Sequence, residues 1–241
     1  MLPLTTGCSV QSYQWGWYEV LPLTHQGVSN LRFLVNGAGL TVALSVASLA
    51  ASVLIGLLVA LPGLSTRPGW RLINRVYVET FRAVPVLVMI LWVYYGLPIV
   101  AGISLGPFAA GILALTLCDS AFEAEIFRGG IQSIDRGQLE AADAIGLTYP
   151  QKMRLVILPQ AIRRILPPLG NQFVYMLKMS SLVSVVGLQE LTRRANELTV
   201  TVYRPLEIYT VLVIEYLLLI LAASWMVRWL ERRMGQSTRT V

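Results

Sequence analysis

Long runs of hydrophobic residues alternate with short polar segments along the whole of this chain. Five of these runs could cross the roughly 30 Å hydrocarbon core of a bilayer as helices. They cover residues 37–61, 84–101, 106–127, 169–188 and 206–230. The pattern predicts an all-α integral membrane protein with about five transmembrane helices.

The basic residues predict how these helices are oriented. Of the 19 lysines and arginines, four lie in residues 62–83, six in residues 128–168 and four in the tail from residue 228 onward. Basic residues collect on the cytoplasmic side of membrane proteins, so the N-terminus is expected outside and the C-terminus in the cytoplasm. The pI near 9.6 then reflects membrane topology. Nucleic-acid binding is not expected, because the basic residues flank spans and form no single face.

Residues 1–33 precede the first span and are rich in aromatic side chains among polar ones. Such residues suit a segment that lies in the membrane interface, and a partly ordered leader is the alternative. A cleavable signal peptide is not predicted, because there is no basic n-region and the first long apolar run begins near residue 37.

Several chemical motifs are missing or out of context. The chain has no Gly-x-x-x-x-Gly-Lys-Ser/Thr sequence, so it is not expected to bind ATP through a P-loop. Gly102-Ile-Ser-Leu-Gly106 fits the nucleophile elbow of esterases, but the only histidine is His25, and a turn is the better interpretation. No metal site is predicted.

Residues 128–168 form the one long polar insertion. Gln138 to Ile145 is predicted to be a short helix, with Gly146 as its C-terminal cap. A second helix is predicted from Pro150 to Leu158. Pro159 and the pair Pro167-Pro168 are predicted to break the chain before the fourth span.

The spacing within this loop resembles a known signature. It reads Glu140-Ala141-Ala142, three residues, Gly146, nine residues, Val156, one residue, Leu158-Pro159. This resembles the EAA loop of the permease subunits of bacterial ABC importers, with Val156 where isoleucine is usual. Further segments resemble the polar amino acid (histidine, glutamine and arginine) branch of that family, among them Glu79-Thr-Phe-Arg-Ala-Val-Pro85, Ala124-Glu-Ile-Phe-Arg-Gly-Gly-Ile131, Ser180-Ser-Leu-Val183 and Arg204-Pro-Leu-Glu-Ile-Tyr209.

The resemblance covers residues 34–230 and implies a binding-protein-dependent, type I transmembrane domain, followed by a cytoplasmic tail at 231–241. It implies a multi-pass subunit of the bacterial inner membrane that works with a second permease, identical or related. A cytoplasmic ATPase dimer would bind ATP and Mg²⁺, so this chain is expected to hold no cofactor and to be no enzyme. A periplasmic or lipid-anchored solute-binding protein would deliver an amino acid. The residues implied in ATPase coupling are Glu140, Ala141, Ala142, Gly146, Leu158 and Pro159.

Ionisable residues inside spans are costly and usually face a cavity or a partner. Asp119 and Glu123 are four residues apart, on one face of the third predicted span. Lys178 and Ser181 lie in the fourth, and Lys178 is expected to neutralise part of the carboxylate charge. These four residues are the candidate substrate pathway, with a purely structural ion pair as the alternative. For Glu215 both interpretations stay open.

Glu125 and Arg128, at the cytoplasmic end of the third span, are expected to make structural pairings with the loop. Two other classes of protein remain. One is a proton-coupled carrier, since buried carboxylates also occur in such proteins. The other is a membrane enzyme, which rests only on the elbow-like sequence at residues 102–106. ATP hydrolysis by a second subunit would favour the importer, whereas uptake driven by an ion gradient alone would favour the carrier.

Overall fold

The structure is a computed structural model that describes residues 13–233, and every regular element within them is helical. The helices are α1 His25–Val35, α2 Ala38–Leu64, α3 Pro68–Ala83, α4 Val86–Ala101, α5 Pro107–Gln132, α6 Arg136–Ala144, α7 Tyr149–Lys152, α8 Leu158–Met179, α9 Leu191–Val202 and α10 Pro205–Arg233. A wide π turn, Trp92–Gly96, lies within α4, and another, Met153–Ile157, joins α7 to α8. A 3-10 segment, Ser180–Val186, follows α8.

The predicted all-helical membrane class is confirmed. Two helical stretches in the described residues are long and apolar enough to cross a membrane, namely His25–Leu64 and α10. The pair α3 and α4 passes the same test together, although it bends by 95° between the two helices. The expected total of five spans and their orientation remain predictions.

Three local predictions differ from the structure. Residues 62–83, expected to be a loop, hold the 16-residue helix α3, which begins on Pro68, where a proline is tolerated. Pro159 does not end a helix but occupies the first turn of α8. Pro167 and Pro168 lie inside α8, which continues to Met179. Neighbouring helices hold α8 in place here, since Ile165 is 6% exposed and its side chain lies against Gly130 of α5.

Helices α2 and α5 form the centre of the bundle. One face of α2 carries small residues that are all buried, among them Ser45, Ser48, Ser52, Gly56 and Ala60. Small side chains let two helix backbones approach closely, which is the usual way that membrane helices pack. At Gly56 an added Cβ would lie 2.5 Å from the Cβ of Glu123, so the contact leaves no room for a side chain.

The described part of the N-terminal segment packs against the rest of the molecule. Val20 and Leu34 are buried in a cluster with Ala195, Leu198 and Ile208 from α9 and α10. The backbone N–H of Gly16 donates to Oε1 of Glu207 at 2.6 Å, and the Arg204 guanidinium donates to the carbonyl of Gln14 at 2.6 Å. The prediction that residues 1–33 lie in the membrane interface is not tested by these contacts, and residues 1–12 lie outside the described part.

Candidate coupling and substrate sites

The short helix predicted from Gln138 to Ile145 is present as α6, which runs from Arg136 to Ala144. The Asp135 side chain caps its N-terminus by accepting from the backbone N–H of Gly137 at 2.6 Å. At the other end Gly146 adopts a φ of 75°, and the backbone N–H of Leu147 donates to the carbonyl of Ala142 at 3.1 Å. These features form a Schellman cap, which requires the left-handed conformation that glycine adopts readily. The prediction of Gly146 as the cap is confirmed.

An apolar cluster joins the loop to the bundle. Ile134 and Ile157, which flank α6 and α7, are buried together with Ala60 of α2, Val78 of α3 and Phe127 of α5. Within the loop, Lys152 Nζ lies 2.5 Å from Asp143 Oδ1 and so links α7 to α6. The cluster therefore packs the loop against α2, α3 and α5.

The candidate coupling residues differ in exposure. Glu140, Ala141, Gly146 and Pro159 are exposed, and Leu158 is 41% exposed, whereas Ala142 is 3% exposed and packs inward. Three large apolar residues outside the predicted set are more exposed than Leu158: Ile145 at 75%, Tyr149 at 68% and Leu155 at 62%. These residues could have been identified in the sequence, because they are large apolar side chains in an otherwise charged loop. With Glu140 and Ala141 they form what we call the loop face.

The predicted substrate residues fall into two places. Asp119 is 3% exposed and accepts hydrogen bonds from Ser52 Oγ at 2.8 Å and from the Gln172 side chain. Glu123 is fully buried beside Gly56, and neither of its carboxylate oxygens has a hydrogen-bond partner among the described residues. The space next to Asp119 is only about 10 Å³, and Glu123 does not line it.

Lys178 lies on α8, and Ser181 lies in the 3-10 segment that follows it. Lys178 is exposed and lines an open cavity of about 290 Å³ between α8 and α10. Ser181 Oγ donates to the carbonyl of Lys178 at 2.7 Å. Among residues 13–233 Lys178 forms no ion pair, so the expected neutralisation of Asp119 and Glu123 has no support in the geometry. Tyr175 lines both this cavity and the space beside Asp119.

Glu125 and Arg128 pair with each other within α5, although a pairing with the loop was expected, and the expected turn at Gly102 is present. Arg128 Nη2 lies 2.5 Å from Oε2 of Glu125, and Nε of the same arginine donates to Oε1 at 3.0 Å, which makes the pair bidentate. Gly102 adopts a φ of 68° at the end of α4, so the elbow-like sequence is a turn and offers no strand-turn-helix context for an esterase. In the described part of the chain, no cluster of His, Cys, Asp and Glu could hold a metal ion.

Comparisons with known proteins show the family of this chain. Residues 52–236 match the family described as binding-protein-dependent transport system inner membrane component. The glutamine transport system permease protein GlnP of Escherichia coli (strain K12) is 37% identical, and the alignment covers 92% of this chain and 98% of that protein. The probable glutamine ABC transporter permease protein GlnM of Bacillus subtilis (strain 168) is 38% identical over 86% of this chain and 96% of its own length.

Solved structures show the same fold. The chain matches a structure described as an amino acid ABC transporter with histidines with a TM-score of 0.83 and 37% identity, over 92% of this chain and all of that one. It matches the inward-facing MetNI methionine ABC transporter with a TM-score of 0.71 and 25% identity, over 85% of this chain and 97% of that one.

Fold, loop and comparisons together define a permease subunit of an ABC importer, a transport protein and not an enzyme. The chain belongs to the family of binding-protein-dependent transport system inner membrane components.

Proposed function

We propose that this chain forms the translocation pathway of an importer for polar amino acids in the bacterial inner membrane. A cytoplasmic ATPase dimer, which binds ATP and Mg²⁺, drives the cycle, and a periplasmic or lipid-anchored solute-binding protein delivers the amino acid. A second permease, identical or related, completes the pathway. The glutamine permeases among the relatives support this substrate class.

In this proposal five spans cross the membrane, with the N-terminus outside and the C-terminus in the cytoplasm. The spans are α2, α4, α5, α8 with its 3-10 extension, and α10. The three basic segments then lie on the cytoplasmic side together with α6 and α7.

The loop face is the observation that carries the coupling proposal. Its apolar residues are exposed on a loop that is otherwise polar, and exposed apolar patches with polar rims favour protein interfaces. Because the apolar cluster below it includes residues of α2, α3 and α5, a displacement of the loop face reaches the bundle. We propose that Glu140, Ala141 and Gly146 seat this face in a groove of the ATPase, with Leu158 and Pro159 at its edge.

Replacing Glu140 by lysine tests the coupling proposal. The variant is expected to lose at least about tenfold in import and in substrate-stimulated ATP hydrolysis, because the reversed charge weakens docking to the ATPase. A loss of about 1.4 kcal/mol in docking free energy already lowers the affinity tenfold. The measurement is ATP-dependent uptake into proteoliposomes that hold the permease and its ATPase, with membrane insertion checked separately.

Gln138→Lys is the matched control for this variant. Gln138 is also exposed on α6, but it faces Gln160 of α8, 3.3 Å away. The control is expected to import normally. Normal import by Glu140→Lys, or uptake that needs an ion gradient and no ATPase, would contradict the proposal.

For the substrate pathway we propose that Lys178 and Ser181 line the open part and that Asp119 and Glu123 form its inner wall. Lys178 is exposed in the cavity between α8 and α10, where an ammonium group can meet the carboxylate of an amino acid. Tyr175 is the shared residue between this cavity and Asp119, so a side-chain movement there would join the two places.

Variants of Lys178 and of the two carboxylates test this pathway. Lys178→Met is expected to raise the KM for amino acid import about tenfold, because one charge-assisted hydrogen bond contributes about 1.5–3 kcal/mol. The KM is measured with glutamine and with arginine in the same proteoliposomes. Arg154→Met, an exposed loop substitution, is the charge control. Unchanged affinity and rate after replacing Asp119 by Asn and Glu123 by Gln together would remove both carboxylates from the pathway.

A further inference from the structure

The orientation of α3 is unusual for a segment that joins two spans. It meets α4 at 95°. If α4 crosses the membrane, as proposed above, α3 lies nearly parallel to the membrane plane. The arginines that it carries place it on the cytoplasmic side. The inference that follows therefore rests on the proposed topology.

Three faces can be distinguished on α3. Asn74 and Val78 are buried against the bundle. A second face is apolar yet exposed, with Leu72 at 58%, Ile73 at 58% and Val76 at 56%. The third face carries three arginines and a glutamate at helical spacing, namely Arg71, Arg75, Glu79 and Arg82. An apolar face beside a basic one is typical of helices that lie in the membrane interface.

The basic face borders a cavity of about 320 Å³ between α3, the end of α2 and α5. Four arginines line this cavity against two glutamates, since Glu125 and Arg128 of α5 close its far side. Positive charge is therefore in excess.

The arginines differ in how far nearby carboxylates neutralise them. Arg128 is neutralised by its bidentate contact with Glu125. The Arg75–Glu79 pair is 3.9 Å apart and about three-quarters exposed at both side chains, 74% and 72%, so it is weak. Within residues 13–233 neither Arg71 nor Arg82 forms an ion pair, and Arg82 instead stacks on the Phe122 ring at 4.9 Å.

We propose that this cavity binds the phosphate group of an anionic phospholipid from the cytoplasmic leaflet. Guanidinium groups match phosphate oxygens in geometry and charge, and basic cavities between membrane helices on this side suit anionic head groups. The exposed apolar face of α3 favours a lipid over free phosphate, because acyl chains would cover Leu72, Ile73 and Val76. It also favours a lipid over an acidic protein partner, since the loop face already offers a separate protein-binding surface. The bound lipid holds α3 at the interface while α4 and α5 move.

Native mass spectrometry of the assembled permease–ATPase complex tests this site. Titration with dioleoyl phosphatidylglycerol and with dioleoyl phosphatidylcholine is expected to show about fivefold tighter binding of the anionic lipid. The double variant Arg75→Gln/Arg82→Gln is expected to lose this preference. Glu79→Gln, which removes negative charge from the same cavity, is expected to strengthen it. Misfolding cannot account for opposite effects at neighbouring positions.

Arg67→Gln/Arg154→Gln is the matched control, because it removes two exposed arginines that do not line the cavity. This control is expected to keep the lipid preference. No preference in the unmodified complex, or a preference that survives Arg75→Gln/Arg82→Gln, would overturn the proposal. Two other results would also overturn it. Displacement of the lipid by millimolar inorganic phosphate would show that the cavity binds a soluble anion. Loss of the ATPase from the double variant, with lipid binding unchanged, would show that the arginines contact a protein. Lipid retention does not depend on import, so failure of the proposed transport function would be seen separately.

Discussion

At the scale of single residues, the contact of Gly56 with Glu123 is among the tightest points of the bundle. The fully buried Glu123 carboxyl has no hydrogen-bond partner among the described residues, and its Cβ lies where a side chain at position 56 would begin. An unpartnered buried carboxyl is costly to keep. Glu123 lies one helical turn from Asp119, so this energetic cost falls on a residue of the proposed pathway.

Replacing Gly56 by alanine tests how firmly this contact is set. Alanine is the better helix former by about 1 kcal/mol, so propensity alone predicts stabilisation. The new Cβ would lie 2.5 Å from the Cβ of Glu123 and 3.0 Å from the carbonyl oxygen of Ser120, and overpacking typically costs about 1–3 kcal/mol. The apparent Tm of the solubilised complex, followed by size-exclusion chromatography, is therefore expected to fall.

Gly39→Ala is the control for this substitution, because Gly39 lies in the same helix and no atom lies within 4 Å of the position that a Cβ would take there. Its Tm is expected to stay level or rise slightly. A Tm for Gly56→Ala that equals or exceeds that of Gly39→Ala would show that α2 and α5 can separate at little cost.

At the scale of the elements, the sequence was most informative where a local pattern decides the structure. Gly146 could be predicted as a cap because a left-handed residue after a helix end favours glycine whatever surrounds it. The turn at Gly102 follows from the same conformational freedom. The apolar runs predicted the helices α2, α5 and α10. The predicted boundaries differ from the observed ones by a few residues, since hydropathy changes gradually at helix ends.

Elements that depend on tertiary contacts were harder to predict. The arginines of α3 made residues 62–83 resemble a loop, whereas its buried face becomes evident only beside α2 and α5. Pro167 and Pro168 suggested a break, but the packing of α8 offsets their lost hydrogen bonds. The partner of Asp119 was expected to be Lys178 and is instead Ser52 with Gln172, because helix rotation decides which side chains meet and spacing along one helix does not.

At the scale of the whole molecule, one connected body runs from the loop face to the buried carboxylates. Ile134 and Ile157 of the loop pack in the same apolar cluster as Ala124 and Phe127 of α5. Glu123 and Asp119 follow within the next two turns of that helix. The shared cluster thus places the loop next to the helix that carries both carboxylates. If the loop is the ATPase contact, as proposed above, α5 is the shortest route from that contact to the carboxylates.

The proposed topology predicts which sides of the membrane expose given residues. In a background without the native cysteines, Cys8→Ser and Cys118→Ala, single cysteines are introduced at Ser104, Val200, Thr66 or Arg154, all exposed positions in the described structure. A membrane-impermeant maleimide applied to intact spheroplasts is expected to label Ser104→Cys and Val200→Cys only. Permeabilised cells should label all four, because the reagent then reaches both sides of the membrane. Labelling of Thr66→Cys or Arg154→Cys in intact spheroplasts would contradict the cytoplasmic position of α3 and of the coupling loop. It would thereby remove the basis for both the ATPase dock and the lipid site.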